Sequence, residues 1–292
     1  MHELLAFDAV ARHESLTCAA SALCVTVSAI SKQLASLESF VGQPLLQKQG
    51  RGVELTACGK LYWQKISAGL RAIETATFEV RSGNTSTGVL TLASVPTFLT
   101  KWLIPRLPDF RLKCPSITLS FSQHLSPTDA IPPGVDAAIR YGSGEWPGVR
   151  SDYIAGREFV LVAAPSLLVQ QPLTQPSDIA KHTALHHEQA RSAWRQWSSQ
   201  HATPEAHTLS GPCFAQYSAL IQAVVSGLGV GLVPRVLVLD ELAQGALGIP
   251  CGEPVQVEQC HYLCYSPDRL EQPVFVAFRD WILSEGRRSQ RS

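Results

Sequence analysis

Residues 16–38 read LTCAASALCVTVSAISKQLASLE, and their spacing predicts two short helices separated by a tight break. Ser15 or Thr17 can cap the first helix, in which Ala19, Ala20 and Leu23 turn inward, because a hydroxyl there takes up an orphan helix N–H. The chain breaks at Cys24–Val25. Thr26 caps the second helix, where Ala29, Ile30, Leu34 and Leu37 recur at helical spacing. Two small alanines let the second helix cross the first closely, the pattern of a helix-turn-helix. The second helix also carries Ser28, Ser31, Lys32 and Gln33, more polar groups than a helix that only fills a core requires.

Upstream, LLAFDAVARH at 4–13 is compatible with an amphipathic helix. Downstream, FVGQPLLQKQGRGVELTACG at 40–59 turns at Gly42, runs extended, and turns again at Gly50–Arg51–Gly52. It returns through VELT to a further cap, Thr56, which makes a two-stranded wing with a basic tip. From Ala57 a long helix carries Trp63, Ile66, Leu70, Ile73, Thr77 and Val80, with gaps alternating between three and four. That is a coiled-coil seam, and it asks for a partner helix in a dimer. Packing of the same stripe on the chain's own second domain is the alternative.

RSGNTSTG at 81–88 reads as a hinge, and beyond it the texture changes. Strand-like VLTLAS, ITLSFS, DAAIRYG and EFVLVAAP alternate with helical stretches such as SALIQAVVSG, which predicts an α/β domain. Two sets of strands predict two Rossmann-like lobes with crossovers near Ala163–Ala164 and Ser266–Pro267. Lobe I is then 88–162 with 267–292, and lobe II is 163–266. The expected domains are 1–60 for the helical head, 61–87 for the linker helix and hinge, and 88–292 for the α/β part.

With 292 residues, 45% hydrophobic and 16% charged, the chain has ample material for packed cores. Its formal net charge is zero, so charge alone does not mark a nucleic-acid binder. No apolar run approaches the roughly 20 residues of a membrane helix, and MHELLAFDAVARHE lacks a basic leader region, so a cytosolic protein is expected. Eight cysteines contain no C-x-x-C pair and read as buried reduced thiols, although Cys260 and Cys264 share one face of a strand. His186, His187 and Glu188 are adjacent and point different ways, so neither a metal nor another cofactor is expected. Since no G-x-S-x-G, P-loop, H-E-x-x-H or G-x-G-x-x-G occurs in a usable context, an enzyme is not expected either.

Laid out in this order, the chain resembles a LysR-type transcriptional regulator along essentially its full length. The head carries the resemblance in LTCAASALCVTVSAISKQLASLE, in G-x-P-L-L at 42–46 and in RGVELTACG at 51–59. Further on it lies in DAAIRYGSGEWPG (136–148), HHEQARSAWRQW (186–197), GPCF (211–214) and SGLGVGLVPRVLV (226–238), which look like the subgroup containing the glycine-cleavage activator and the inducible β-lactamase regulator. The resemblance implies a winged helix-turn-helix and a dimerising linker helix. It also implies a two-lobed effector domain like a periplasmic binding protein, in a homodimer or homotetramer on double-stranded promoter DNA.

On that reading Thr26, Val27, Ser28, Ser31, Lys32 and Gln33 meet the major groove, and Arg51 on the wing reaches a phosphate. Val27 stands where the family usually has glutamine or histidine, and Leu45–Leu46–Gln47–Lys48 where it has L-F-x-R. Residues 1–60 carry Arg12, Lys32, Lys48, Arg51 and Lys60 against Glu3, Asp8, Glu14, Glu38 and Glu54, five against five. This neutrality prompts a competing reading, a cytosolic ligand-binding dimer that has lost sequence-specific DNA binding. For the effector, a small anionic metabolite or peptide, strand ends and helix starts nominate Ser94, Thr97, Gln123, Arg140 and Tyr141 on one lobe. His187, Gln216 and Ser218 face them from the other.

Overall fold

The computed structural model describes residues 1–49, 52–82, 88–122, 131–132, 134–204 and 210–290. Arg51 and Gln123, both expected at binding surfaces, lie outside the described residues. The chain divides into two units, Met1–Gly88 and Val89–Ser292. Among the described residues no single helix is long and apolar enough to cross a membrane.

The first unit holds α1 (His2–His13), α2 (Leu16–Ala22), α3 (Val27–Val41), a hairpin of β1 (Leu46–Gln49) and β2 (Gly52–Leu55), and α4 (Ala57–Ser82). Two expected caps form: Ser15 Oγ accepts the Cys18 N–H at 3.3 Å, and Thr26 Oγ1 accepts the Ala29 N–H at 3.2 Å. Phe7, Val10, Ala19, Ala20, Ile30, Leu34, Leu37 and Leu45 make the core. Past Gly42, Glu38 turns its carboxylate onto the N–H groups of Leu45 and Leu46, at 2.7 and 3.1 Å, and so fixes where the wing departs. Thr56 donates to the Pro44 carbonyl at 2.8 Å and accepts the Gly59 N–H at 2.9 Å, starting α4 on the same turn. A Cβ on Gly59 would lie 2.0 Å from the Leu45 oxygen, so only glycine allows this approach.

The expected seam of α4 is interrupted at its start. Trp63 donates from its indole to Asp8 at 2.9 Å, and both Trp63 and Ile66 pack on the head's own core. Ile73 and Thr77 are exposed further along; the side chain of Val80 lies outside the described residues.

The second unit contains two mixed sheets. One has the order β4-β3-β5-β12-β6, from β3 (Gly88–Ser94), β4 (Ile117–Ser122), β5 (Ala137–Gly142), β6 (Arg150–Ala155) and β12 (Cys260–Tyr265). The other has the order β11-β7-β10-β8-β9, from β7 (Glu158–Val162), β8 (Ala184–His187), β9 (Cys213–Phe214), β10 (Val230–Pro234) and β11 (Val255–Gln256). The first sheet carries a broken helix and α11 (Pro273–Ser289). The broken helix runs through α5 (Pro96–Phe98), a π segment (Leu99–Leu103), a 3-10 turn (Ile104–Arg106) and α6 (Leu107–Lys113). Pro105, which has no N–H to donate, falls where the regular ladder is lost. The second sheet carries α7 (Pro165–Gln170), α8 (Arg191–Gln200), α9 (Tyr217–Val225) and α10 (Leu239–Ala243).

This pairing corrects the expected lobe boundaries. β7 belongs to the second sheet, antiparallel to β10, and β12 to the first, antiparallel to β5 and β6. The crossovers therefore fall at 156–157 and 257–259. Both strands are buried along nearly their whole length, so nothing in their own pattern says which sheet takes them. Gly156 makes the first crossing at φ 96°, where a Cβ would stand 2.7 Å from the His261 ring. Aromatic residues hold both lobes: Phe98, Trp102, Phe275 and Phe278 in one, Phe159, Trp194 and Trp197 in the other, all fully buried. Of the cysteines, Cys260 and Cys264 are buried as expected, whereas Cys18, Cys24 and Cys213 are exposed.

Candidate functional sites

On the head, the arc of α3 opposite Ile30, Leu34 and Leu37 carries Ser28, Ser31 and Lys32, all exposed. Thr26 and Ser28 share a hydroxyl hydrogen bond of 3.0 Å, and Ser31 donates to the Val27 carbonyl at 3.0 Å. These bonds are local and leave hydroxyl lone pairs facing outward. Val27 is 40% exposed at the first turn. Gln33 departs from the expectation: it is half-buried at the edge of the core face rather than on the outer arc.

In the second unit the expected residues sort into three groups. Ser94, Thr97, Tyr141 and His187 come together. Adjacent to Ile139 in the sheet register, buried Ser94 shares the face of Leu92, Ile139 and Tyr141. Thr97 crosses between lobes, its Oγ1 accepting the Ser218 N–H at 2.9 Å. Tyr217 donates to the Tyr141 hydroxyl at 3.3 Å and stacks on His187 with ring centroids 4.0 Å apart. A third crossing contact is the ion pair of Lys101 in the π segment with Glu241 in α10.

Gln216 and Ser218 form the second group, at the start of α9. Both side chains are exposed, and the Ser218 hydroxyl donates to the Gln216 amide oxygen at 3.4 Å. From Ser218 it is the backbone N–H that the facing lobe engages. Arg140 is the third case. One position before Tyr141 on β5, it points to the opposite face of the sheet, with its guanidinium 5.6 Å over the Trp146 ring. There burial pushes the Cys264 thiol up to about 11, against the lowering pull of a Ser151 hydrogen bond and of the Arg140 charge. The expectation that Arg140 and Tyr141 serve one site is therefore corrected by strand alternation.

Sequence reading missed His261. Its ring stacks on Phe98 at 4.2 Å and tilts against Tyr141 at 5.2 Å. The alternation of EQCHYLCY contained the signal, since His261 shares a face with Leu263 and Tyr265 while the two cysteines take the other. Burial holds His187 near 4 and His261 near 3, against an ordinary 6.5. Burial also raises the Tyr141 and Tyr217 phenols, so the cluster is uncharged at neutral pH. His186, next to His187, faces the other way toward Trp194. Among the described residues no group of three or more His, Cys, Asp or Glu is placed to hold a metal ion.

The folds of the two units, a winged helix-turn-helix and a two-lobed α/β domain, agree with the comparisons. A model of the bacterial regulatory helix-turn-helix of the lysR family matches residues 1–60, and one of the LysR substrate binding domain matches 83–287. The chain is 33% identical over 291 residues to the glycine cleavage system transcriptional activator of Escherichia coli strain K12, covering 99% of this chain and 95% of that protein. It is 32% identical over 284 residues to the transcriptional activator AmpR of Pseudomonas aeruginosa, covering 97% and 94%. The solved effector domain of that AmpR superposes with a TM-score of 0.62 at 30% identity, over 70% of this chain and 98% of that one. ArgP from Mycobacterium tuberculosis shares the fold over 98% of this chain and 97% of its own, with a TM-score of 0.69 at 20% identity.

Proposed function

We propose a mechanism from one premise: the chain belongs to the LysR family of DNA-binding transcriptional regulators, whose members bind promoter DNA and small-molecule effectors. In it, α3 enters the major groove with Val27, Ser28, Ser31 and Lys32 toward the DNA, and Arg51 reaches a phosphate. Because the head has no surplus of positive charge, two heads on one DNA supply by avidity what one lacks. The exposed part of α4, around Ile73 and Thr77, joins two copies, and a pair of such dimers makes the tetramer.

The effector enters between the lobes. One observation carries this reading: the Thr97 hydroxyl accepts a first-turn N–H of α9 from the other lobe. It occupies the position that a ligand oxygen would take, since free N–H groups at a helix start favour an oxygen anion. The partners around that point are neutral: Ser94, Tyr141, His187, Tyr217 and His261. The cleft thus suits a small molecule that presents one carboxylate or similar oxygen group to N–H and O–H donors rather than to an arginine.

A mobility-shift titration with the DNA flanking its own gene tests the first half: wild type retards the fragment and Lys32→Glu does not. A retarded band of equal strength for both removes α3 from the groove and restores the reading of a ligand-binding dimer. For the second half, compounds that raise the melting temperature of the wild type are tested on Thr97→Val. A compound whose effect survives that change in full does not sit in the cleft.

A further inference from the structure

A cavity of about 640 Å³ lies where the two lobes are joined, lined by residues distinct from the Thr97–Ser218 cleft. Arg106 comes from the 3-10 turn before α6, Arg157 from the first crossover, Arg235 from the 3-10 turn just after β10 and Arg288 from the last turn of α11. In a chain with 24 basic and 24 acidic residues, these four arginines face one hollow whose acidic lining, among the described residues, is Glu158 and Glu285; Arg157 also borders a neighbouring hollow that carries Glu145 and Glu258. Both glutamates are engaged: Glu285 with Arg288 at 2.7 Å and Arg106 at 4.0 Å, Glu158 with Arg235 at 3.6 Å. Arg157 is exposed, lies 4.7 Å over the Tyr153 ring and shares side-chain hydrogen bonds with Cys260 and Tyr262, but among the described residues it enters no ion pair. The carbonyl end of α11 adds about half a negative charge and Asp240 acts on Arg106, which leaves the lining a modest cationic surplus. Val236 and Leu239 give it an apolar side.

We propose that this hollow is a second effector site, for a small multiply charged anion with carboxylate or phosphate oxygens. Its size falls within the range of small-molecule sites. Guanidinium groups suit such oxygens, because their planar forks donate two parallel N–H groups. A monoanion engages one guanidinium fork at a time, whereas a dianion can span Arg157 on one crossover and Arg235 on the second lobe. The Arg157 carbonyl accepts the Val257 N–H at 2.9 Å, so the ligand would rest on the point where both crossovers are tied together.

The test is calorimetric titration of the full chain with succinate, inorganic phosphate and acetate at matched ionic strength. Saturable binding is expected for succinate, phosphate or both, at least tenfold weaker in Arg157→Gln and in Arg235→Gln, and unchanged in Thr97→Val. Succinate alone assigns a dicarboxylate, phosphate alone a phosphate compound, and both together the dianion itself. Melting curves of each variant confirm that it is folded. Should Arg235→Gln prove unstable, Arg157→Gln, a change at an exposed side chain, decides the outcome. The proposal is overturned if neither dianion saturates, if acetate binds as tightly, or if Arg157→Gln binds like wild type. An equal loss in Thr97→Val would place the anion in the cleft and also overturn it.

Discussion

The head and the interlobe cleft treat polar side chains in opposite ways. On α3, Ser28, Ser31 and Lys32 stand exposed within five positions of sequence; the serines make one local hydrogen bond each and leave their remaining lone pairs to water. In the cleft, Ser94, Thr97, Tyr141, His187, Tyr217 and His261 come from six secondary-structure elements; Tyr141 is half-buried and the other five are buried. A surface proposed to meet phosphates keeps its cation hydrated until DNA displaces the water and counterions. A cleft that closes on itself has to answer each buried polar group internally or hold it neutral. The head's reading depends on one helix; the cleft's depends on the fold.

The largest expected effect lies in the scaffold of the head. In Gly59→Ala the new Cβ meets a backbone carbonyl at 2.0 Å, which no side-chain rotation relieves. The turn between α3 and the wing has to move, at about 3 kcal/mol. Hydrogen exchange should quicken through α1–α4 and leave β3–β12 unchanged, with DNA binding lost. Unaltered protection in the head would mean that its turn is more compliant than its geometry indicates.

The cleft should break by protonation instead. His187 is held near 4 when folded against 6.5 when free, so the unfolded or opened chain takes up the proton first as pH falls. Stability is therefore whole above about pH 6.5 and declines toward pH 4, on the order of 3 kcal/mol for this one group. His261 extends the decline toward pH 3. Tyr141 and Tyr217, which face His187, stay neutral across this window because burial raises both. Urea denaturation at stepped pH measures the slope, and His187→Gln should flatten it. An equal slope in that variant would show that the histidine is open to water.

Much of this contrast could be read from the sequence, and the limit is physical. Caps such as Thr26 and Ser15, the break at Cys24–Val25 and the wing followed from groups within a few positions of one another. Even Gly59, in the first turn of α4, lies close to its cap in sequence, though its reason needed Leu45 to be placed. The lobe membership of β7 and β12 did not follow, because a strand buried on both faces carries no mark of its neighbours. Arg140 and Tyr141 looked like a pair in the sequence and proved to be on opposite faces, a rule of strand alternation that could have been applied at once. His261 needed the sheet order itself: until β12 joins the first sheet, nothing brings it to Tyr141 and Phe98.

The smallest effects sharpen the comparison from the DNA side. On the proposed docking of α3, Val27 can touch a thymine methyl; Val27→Gln would then exchange an apolar contact for a hydrogen-bonding amide and move the preferred base at one position by roughly 1–3 kcal/mol. The dependence on salt should stay as it was. Lys32→Gln should do the reverse. Removing one phosphate contact weakens every sequence alike and lowers the slope of log affinity against log salt by about 0.9. In a head with five basic and five acidic residues, one cation is a large share of the attraction, so the change should be readable between 50 and 200 mM salt, about the usual range of such titrations. Titrating both variants against the wild-type operator and a panel of single-base substitutions separates the two roles. If Lys32→Gln changed base preference and left the slope intact, Lys32 would be reading a base edge. The division of α3 into a reading turn at Val27 and a gripping turn at Lys32 would then be reversed.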